Sequence, residues 1–220
     1  MKAALESGDS ELRKLAVSAL DGQWAADLGA GFGMHSIPLA RMGFKVLSID
    51  QCGLLLKQLE LQKGTLTVKS VEDDLLCFDQ HLECAPSVVL CMNDTITHLA
   101  NADAVTGLIR SVADYIAEKG RFITTFRDHS KSLAGTSSVI PVRSDRNRVF
   151  TCLLEYGDSH VVVNDMLYEW NGVTWDFSTS SYQKLKIRPE WLAQCLQTNG
   201  FSVDRLKIPS GMACLSAYQR

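Results

Sequence analysis

The stretch 24–50, WAADLGAGFGMHSIPLARMGFKVLSID, constrains the fold of this chain more than any other. In order along the chain it contains an apolar segment (24–28), a turn with Gly29, Gly31 and Gly33, a helical pattern (about 34–42), and an apolar segment (45–49) followed by Asp50. This order predicts strand, glycine turn, helix and strand, with Gly43 capping the helix. Such a unit is typical of nucleotide-binding α/β proteins, because glycines let the backbone approach the ligand and the acid accepts from ribose hydroxyls.

Two details of the turn indicate which nucleotide it suits. The third glycine comes one residue early, which gives G-x-G-x-G instead of the G-x-G-x-x-G of the dinucleotide fingerprint. An acid, Asp27, stands two residues before the first glycine, where it would repel a diphosphate. The turn therefore favours a nucleoside ligand that has no phosphate and carries a cationic amino-acid end. S-adenosylmethionine has both properties.

The segments DLGAGFG (27–33) and LSID (47–50) together resemble the first two motifs of the class I S-adenosylmethionine-dependent methyltransferases. The resemblance extends from about residue 10 to the C-terminus. It implies an α/β fold with a Rossmann-like seven-stranded sheet, mostly parallel with an antiparallel last strand, and helices on both faces. It also implies an enzyme that uses S-adenosyl-L-methionine as its cofactor. A glycine-rich strand–helix turn in some other α/β protein is the alternative.

The resemblance also implies which residues contact the cofactor. An acid and an apolar residue after the third strand, placed at 66–69, bracket the adenine in this family; Asp74 with Leu75 matches best, and Asp73 is the alternative. The segment after the fourth strand borders the methionine end and the acceptor. The implied set is Asp27, Gly29, Ala30, Gly31, Gly33, Asp50, Gln51, Asp74, Leu75, Asn93 and Asp94.

Candidate catalytic residues follow the carboxyl ends of the two central apolar runs, 87–92 and 121–126, because open α/β sheets bind ligands at that edge. A general base is needed only when the acceptor arrives protonated. The candidates are His98, His129 and Asp128, with Tyr182 as a further choice; His98 ranks first because its segment borders the cofactor. His98 could instead bond the backbone at a helix start, and His35 is expected to cap a helix or contact the cofactor's carboxylate.

Residues 137–187 form an insertion in what is otherwise one domain, 1–220. Three β-rich runs, separated by Gly157-Asp158 and Asn171-Gly172, predict an antiparallel meander that roofs the substrate pocket. Before it, Arg143, Arg146 and Arg148 could bind an acceptor anion or lie in a solvated turn.

At the N-terminus, residues 1–8 are expected to be frayed, and a helix is expected from Asp9 or Ser10 to about Leu20. This helix could pack on the edge of the sheet only, or also form a partial lid over the cofactor.

Composition excludes several classes of partner. The net charge is −3, from 22 basic and 25 acidic residues without a long basic run, so nucleic acid is not expected. The apolar runs are too short to span a membrane, and residues 1–20 lack a signal-peptide core, which makes the cytoplasm the default location. The seven cysteines are scattered and have no zinc-site spacing, so no metal is expected.

The sequence therefore predicts a methyltransferase that moves a methyl group by in-line displacement to a small polar acceptor. Two alternatives stay open: an NAD-dependent oxidoreductase built on the same strand–helix–strand unit, and a catalytically silent cofactor-binding subunit of a partner enzyme. The atom that is methylated and the oligomeric state are also left open.

Overall fold

The computed structural model describes residues 2–19, 22–133 and 138–220. The strands are β1 (Trp24–Leu28), β2 (Lys45–Asp50), β3 (Val68–Glu72), β4 (Val88–Cys91), β5 (Arg121–Phe126), β6 (Val139–Ser144), β7 (Arg148–Tyr156), β8 (His160–Trp170), β9 (Trp175–Leu185), β10 (Phe201–Leu206) and β11 (Ala213–Gln219). The helices are α1 (Lys2–Lys14), α2 (Ser36–Arg41), α3 (Gly53–Lys63), α4 (Ala102–Tyr115) and α5 (Pro189–Thr198), with 3₁₀ turns at Leu75–His81 and Thr95–His98.

Seven strands form the main sheet in the order β10-β11-β5-β4-β1-β2-β3. The pairs β1–β2, β2–β3, β1–β4 and β4–β5 are parallel, whereas β11 is antiparallel to both β5 and β10. The predicted seven-stranded, mostly parallel sheet with an antiparallel last strand is confirmed. The chain order reverses between β1 and β4, and such a switch point opens a crevice at the carboxyl ends of the strands.

Helices cover both faces of this sheet. On one face α4 and α5 pack on the strands through fully buried residues such as Leu108, Val112 and Leu192. On the other face Leu12 of α1, Leu39 of α2 and Leu59 of α3 do the same. All four residues of β4 are buried, as its continuous apolar run predicts for a strand covered on both sides.

The N-terminal helix differs from the sequence expectation. It begins at Lys2, so the prediction of frayed residues is wrong for 2–8, and it ends at Lys14, near Ala16 with φ 53°; Met1 and the expected end at Leu20 lie outside the described residues. The reason is tertiary packing. A Cβ at Gly8 would lie 2.1 Å from the carbonyl oxygen of Met34, so α1 presses its backbone against the glycine turn, and this contact holds its first two turns in place.

One predicted strand is displaced. The third strand was expected at 66–69 and lies at Val68–Glu72. The strand β6 was not predicted from the sequence, because its residues include a proline and an arginine. It is an exposed edge strand with an irregular register between Pro141 and Arg143, and an edge is where a sheet tolerates proline.

The insertion after β5 forms a separate antiparallel sheet in the order β6-β7-β8-β9, as predicted, although residue 137 itself lies outside the described residues. Its inner face meets the main sheet through Lys184, which binds Asp94, and through Tyr182, which stacks on His98. Within the described ranges, no helix is long and apolar enough to cross a membrane.

Candidate functional site

The glycine turn after β1 has the backbone that its sequence requires. Gly29, Gly31 and Gly33 have φ values of 75°, 53° and 88°, a region that favours glycine. A Cβ at Gly29 would lie 2.3 Å from Cγ2 of Thr95, so that position has no room for a side chain. The N–H groups of Gly29 and Ala30 both donate to the carbonyl of Ile49 at 2.9 Å, which ties the turn to the end of β2.

Asp50, at the end of β2, holds two backbone segments at once. Its Oδ2 accepts from the Gly31 N–H at 2.8 Å, and its Oδ1 accepts from the Cys52 N–H at 2.8 Å. A carboxylate offers about four lone-pair positions, so each oxygen keeps one for a further donor. The carboxylate lines the cleft described next and can accept from a pair of hydroxyls there.

A cleft of about 590 Å³ lies at the carboxyl ends of β1, β2 and β4. It brings together much of the set that the sequence predicted, namely Gly29, Asp50, Gln51, Asp74, Leu75, Asn93 and His98. Thr95 and Leu55, which no sequence motif singled out, also line it. On the far side of Asn93, a smaller cavity of about 230 Å³ opens between α1 and the loop before β11.

One end of this cleft carries the acids that follow β3. Asp74 caps the 3₁₀ turn by accepting from the Leu76 N–H at 2.9 Å, and it accepts from the Gln51 side chain at 3.0 Å. Asp73 also lines the cleft, but its carboxylate bonds His81 at 2.7 Å, and this bond lowers the pKa of Asp73. Asp74 and Gln51 thus form a linked polar pair beside the apolar Leu75.

Asp27 is buried behind the turn and does not line the cleft. Its Oδ2 accepts from the Ser36 hydroxyl at 2.6 Å, and Ser36 in turn accepts from Ser48. Burial raises the pKa of Asp27 above its ordinary value. His35 is also buried, with Nε2 at 3.2 Å from Glu11 of α1, so it joins that helix to the turn. The remaining predicted turn residues, Ala30, Gly31 and Gly33, shape the loop without lining the cleft.

Asn93 and Asp94, which follow β4 after Met92, have left-handed backbones and opposite environments. Asn93 (φ 55°) lies at the cleft, and Asp94 (φ 71°) is buried. The Asp94 carboxylate accepts from Lys184 Nζ at 2.8 Å, from the Arg127 N–H at 2.6 Å and from the Arg127 guanidinium. Burial alone would raise the pKa of Asp94, but the bonds and charges of Lys184 and Arg127 lower it below its ordinary value. Asp94 thus joins the two sheets and does not line the cleft.

His98 stands between the cleft and the second sheet. Its ring stacks on Tyr182 of β9 with centroids 5.6 Å apart. Burial, followed by the charge of Lys184, lowers the pKa of His98, so the imidazole is neutral at pH 7.

A third cavity, of about 250 Å³, lies between the end of β5 and the inner face of the second sheet and is called the roof pocket. Its polar lining is Arg127, His129, Asp165, Tyr182 and Lys184. His129 is buried, its Nε2 has no hydrogen-bond partner among the described residues, and burial lowers its pKa. Tyr182 lines the roof pocket while stacking on His98 of the cleft, so the two cavities share one wall.

Other predicted site residues lie elsewhere. Asp128 bonds the Ser130 N–H at 2.9 Å and lines neither cavity. Arg143 and Arg148 form exposed ion pairs with Asp145 and Glu169. Sequence reasoning missed Asp165 and Lys184; the alternation of β8 and β9, read with their pairing register, is the signal that would have placed both on the inner face. Among the described residues, no group of three or more acidic, Cys or His side chains could hold a metal ion.

Comparison with solved structures shows the same architecture. The chain is similar to a structure of an amino pentose methyltransferase from Micromonospora echinaspora with S-adenosylmethionine bound (TM-score 0.80, 12% identity, covering 100% of this chain and 91% of that one). The fold is that of the S-adenosylmethionine-dependent methyltransferases. A sugar N-methyltransferase from Streptoalloteichus (TM-score 0.75, 14% identity, covering 99% and 87%) and a methyltransferase from Clostridium acetobutylicum (0.76, 13%, covering 96% and 89%) also match. No protein-family model and no curated protein matches the sequence.

Proposed function

We propose that this protein is an S-adenosylmethionine-dependent methyltransferase that transfers a methyl group in line to a small polar acceptor. The observation that carries the proposal is the cleft at the switch point, which Asp50 lines while the Gly31 and Cys52 N–H groups hold its carboxylate in place. Such an acid suits the two hydroxyls of a ribose. Among the described residues that line the cleft, none is Lys or Arg, so a phosphate would find no counter-charge from them.

The residues of the cleft fit this cofactor. Asp50 would hold the ribose, Asp74 would accept from the exocyclic amine of adenine, and Leu75 would cover the ring. Asn93 connects the cleft to the cavity beside α1, where the amino-acid end has space. When bound, S-adenosylmethionine supplies an electrophilic methyl group whose thioether leaving group needs no acid. The protein's contribution is then alignment of the acceptor and exclusion of water.

The roof pocket is the proposed acceptor site. It adjoins the cleft across the His98–Tyr182 stack, and its volume of about 250 Å³ suits a small molecule. The amino pentose and sugar methyltransferases among the structural neighbours support an acceptor of this size.

We place the protein in a reducing compartment such as the cytoplasm, because all seven cysteines are free thiols.

The two histidines at these cavities are expected to set the pH dependence of the reaction. Both pKa values are lowered, so both imidazoles stay neutral, and able to accept a proton, below the ordinary histidine pKa of about 6.5. With an acceptor that does not titrate between about pH 5 and 8, kcat/KM should be flat through pH 7 and fall only below about pH 6.5.

Replacing the base by Asn should lower kcat by about 100-fold or more. If His98→Asn and His129→Asn both turn over at the wild-type rate, neither histidine is a base.

Isothermal titration with S-adenosylhomocysteine, and separately with NADH, tests the cofactor assignment. We expect micromolar binding of the first and none of the second. Binding of NADH alone would establish the oxidoreductase alternative. Binding of S-adenosylhomocysteine without methyl transfer to any of a broad set of small acceptors would favour the silent-subunit alternative, which a stably co-purifying second chain would support.

A further inference from the structure

The inner face of the second sheet carries a carboxylate that lacks a strong partner. Asp165 of β8 lines the roof pocket, and its Oδ1 accepts from the Cys152 thiol at 2.8 Å. No other group among the described residues donates to its side chain. A thiol is a weak donor, and the pKa of Cys152 is raised to about 11, through burial first and Asp165 second. The carboxylate is therefore available to a donor that enters the pocket.

The cations near Asp165 are already engaged. Lys184 Nζ binds Asp94 at 2.8 Å, and the Arg127 guanidinium binds the same carboxylate. Lys184 is almost fully buried in this arrangement. If its ammonium group moved away from Asp94, the Asp94 carboxylate would lose a counter-ion in a buried position. Two cations of the roof-pocket lining thus bind Asp94, whereas Asp165 contacts no cation among the described residues.

The rest of the roof pocket is apolar on one side and offers one buried nitrogen on the other. Phe150, Leu154 and Val163 project from the same face of the sheet as Asp165, and His129 presents its unpartnered Nε2. We propose that the roof pocket binds an organic amine: the ammonium group bonds Asp165, and an apolar body lies against Phe150 and Val163. Charge-assisted hydrogen bonds of this type are about twice as strong as neutral ones.

This inference rests on the proposed function where it makes the amine the methyl acceptor. His129 Nε2 then takes one proton from the ammonium, and the nitrogen lone pair forms the bond to the methyl carbon. The carbon–sulfur bond breaks with its electron pair going to sulfur, and the proton on His129 is released to water. The products are the N-methylated ammonium ion, a neutral thioether and one proton, so charge and atoms balance.

Three isosteric probes test the amine site without any cofactor: cyclohexylammonium, cyclohexanol and cyclohexanecarboxylate, titrated calorimetrically at millimolar concentration. We expect the cation to bind more tightly than the other two. Asp165→Asn should lower the affinity for the cation by about 10-fold or more and leave the affinity for the alcohol unchanged. The control Asp158→Asn, at an exposed position, should change neither affinity. Tighter binding of the carboxylate, or an unchanged cation affinity in Asp165→Asn, would overturn the proposal. If the protein binds the cation but not S-adenosylhomocysteine, the amine site is supported and the methyltransferase proposal is rejected. If it binds S-adenosylhomocysteine but not the cation, only the amine site is rejected.

The outer face of the second sheet carries an exposed aromatic cluster at one end. The pairing register places Tyr168 opposite Phe177 and Trp170 opposite Trp175, on the face turned away from the roof pocket. Their ring centroids are 4.7 and 5.7 Å apart, and all four side chains are exposed. Along β7, β8 and β9 the same alternation gives this outer face the apolar Val149, Leu153, Val162 and Met166, the polar Thr151, His160, Asn164, Thr179, Ser181 and Gln183, and a single formally charged residue, Glu155.

We infer that two copies of this chain pack through this outer face. The strands β7, β8 and β9 are 9 to 11 residues long and about 4.8 Å apart, which gives a flat area of roughly 500 Å². This is less than the roughly 800 Å² per partner of a standard interface and falls in the range of weaker ones. Because these strands place one formally charged residue on the face, a two-fold axis brings the two aromatic clusters together with few like charges opposed.

Sedimentation velocity at tens of micromolar protein tests the dimer. We expect the wild type to sediment as a dimer and Phe177→Lys as a folded monomer, with circular dichroism confirming the fold. Tyr115→Lys, an exposed aromatic on α4 of the main sheet, is the matched control and should remain a dimer. A wild-type monomer, or a dimer that survives both Phe177→Lys and Trp175→Lys, would overturn the inference.

Discussion

Asp94→Asn is expected to lower the free energy of unfolding by about 3 kcal/mol, measured by urea denaturation. The substitution removes the charge that Lys184 Nζ binds at 2.8 Å, and Lys184 is only 8% exposed, so its ammonium is left buried without a counter-ion. Asparagine tolerates the left-handed backbone at this position, where φ is 71°, so backbone strain does not contribute to the effect. Arg127 adds little, because 59% of its side chain is exposed to solvent.

A double-mutant cycle isolates this ion pair from the general cost of mutation. Lys184→Met alone leaves Asp94 with the Arg127 contacts and should cost less than Asp94→Asn. Asp94→Asn combined with Lys184→Met should recover most of the loss, since neither charge remains buried. If the two effects simply add, the contact does not hold β9 to the end of β4 as the structure indicates.

The unit of strand, glycine turn, helix and strand at 24–50 could be predicted from the sequence because its signals are local. The bounds of β1 and β5 follow from short apolar runs, and the glycines mark backbone conformations that other residues rarely adopt. Asp50 could be identified because the acid stands at the end of the second strand, where the parallel pairing of β1 and β2 brings it beside the glycine turn.

The remainder depends on contacts between distant segments. Asp94 follows a central strand and was expected at the cofactor, but its partner Lys184 is 90 residues away, and no local pattern connects the two. The early start of α1 likewise depends on contact between Gly8 and the glycine turn. The sequence of 2–8 alone does not show this contact, so these residues were expected to be frayed. The roof pocket combines His129 after β5 with side chains of β6 to β9, so it exists only once both sheets are assembled.

Asp50→Ala is expected to weaken S-adenosylhomocysteine binding by about 100-fold or more in isothermal titration. Two losses combine. The carboxylate lone pairs that would accept from the ribose hydroxyls disappear, and each hydrogen bond to a charged group contributes about 1.5–3 kcal/mol. The N–H groups of Gly31 and Cys52 also lose their acceptor, so the turn is no longer held for the ligand.

Two further variants separate these contributions to binding. Asp50→Asn keeps one oxygen for the Gly31 or Cys52 N–H and removes the charge, so its affinity should fall between those of the wild type and Asp50→Ala. Asp114→Ala removes the same charge from an exposed site at the end of α4 and should bind like the wild type, which excludes an effect of net charge. Unchanged affinity in Asp50→Ala would mean that the ribose is not bound at the end of β2. The glycine turn, Asp50 and the Asp74–Gln51 pair all line or shape one cleft. That result would therefore reject the assignment of the whole cleft as the cofactor site, and not only the role of Asp50.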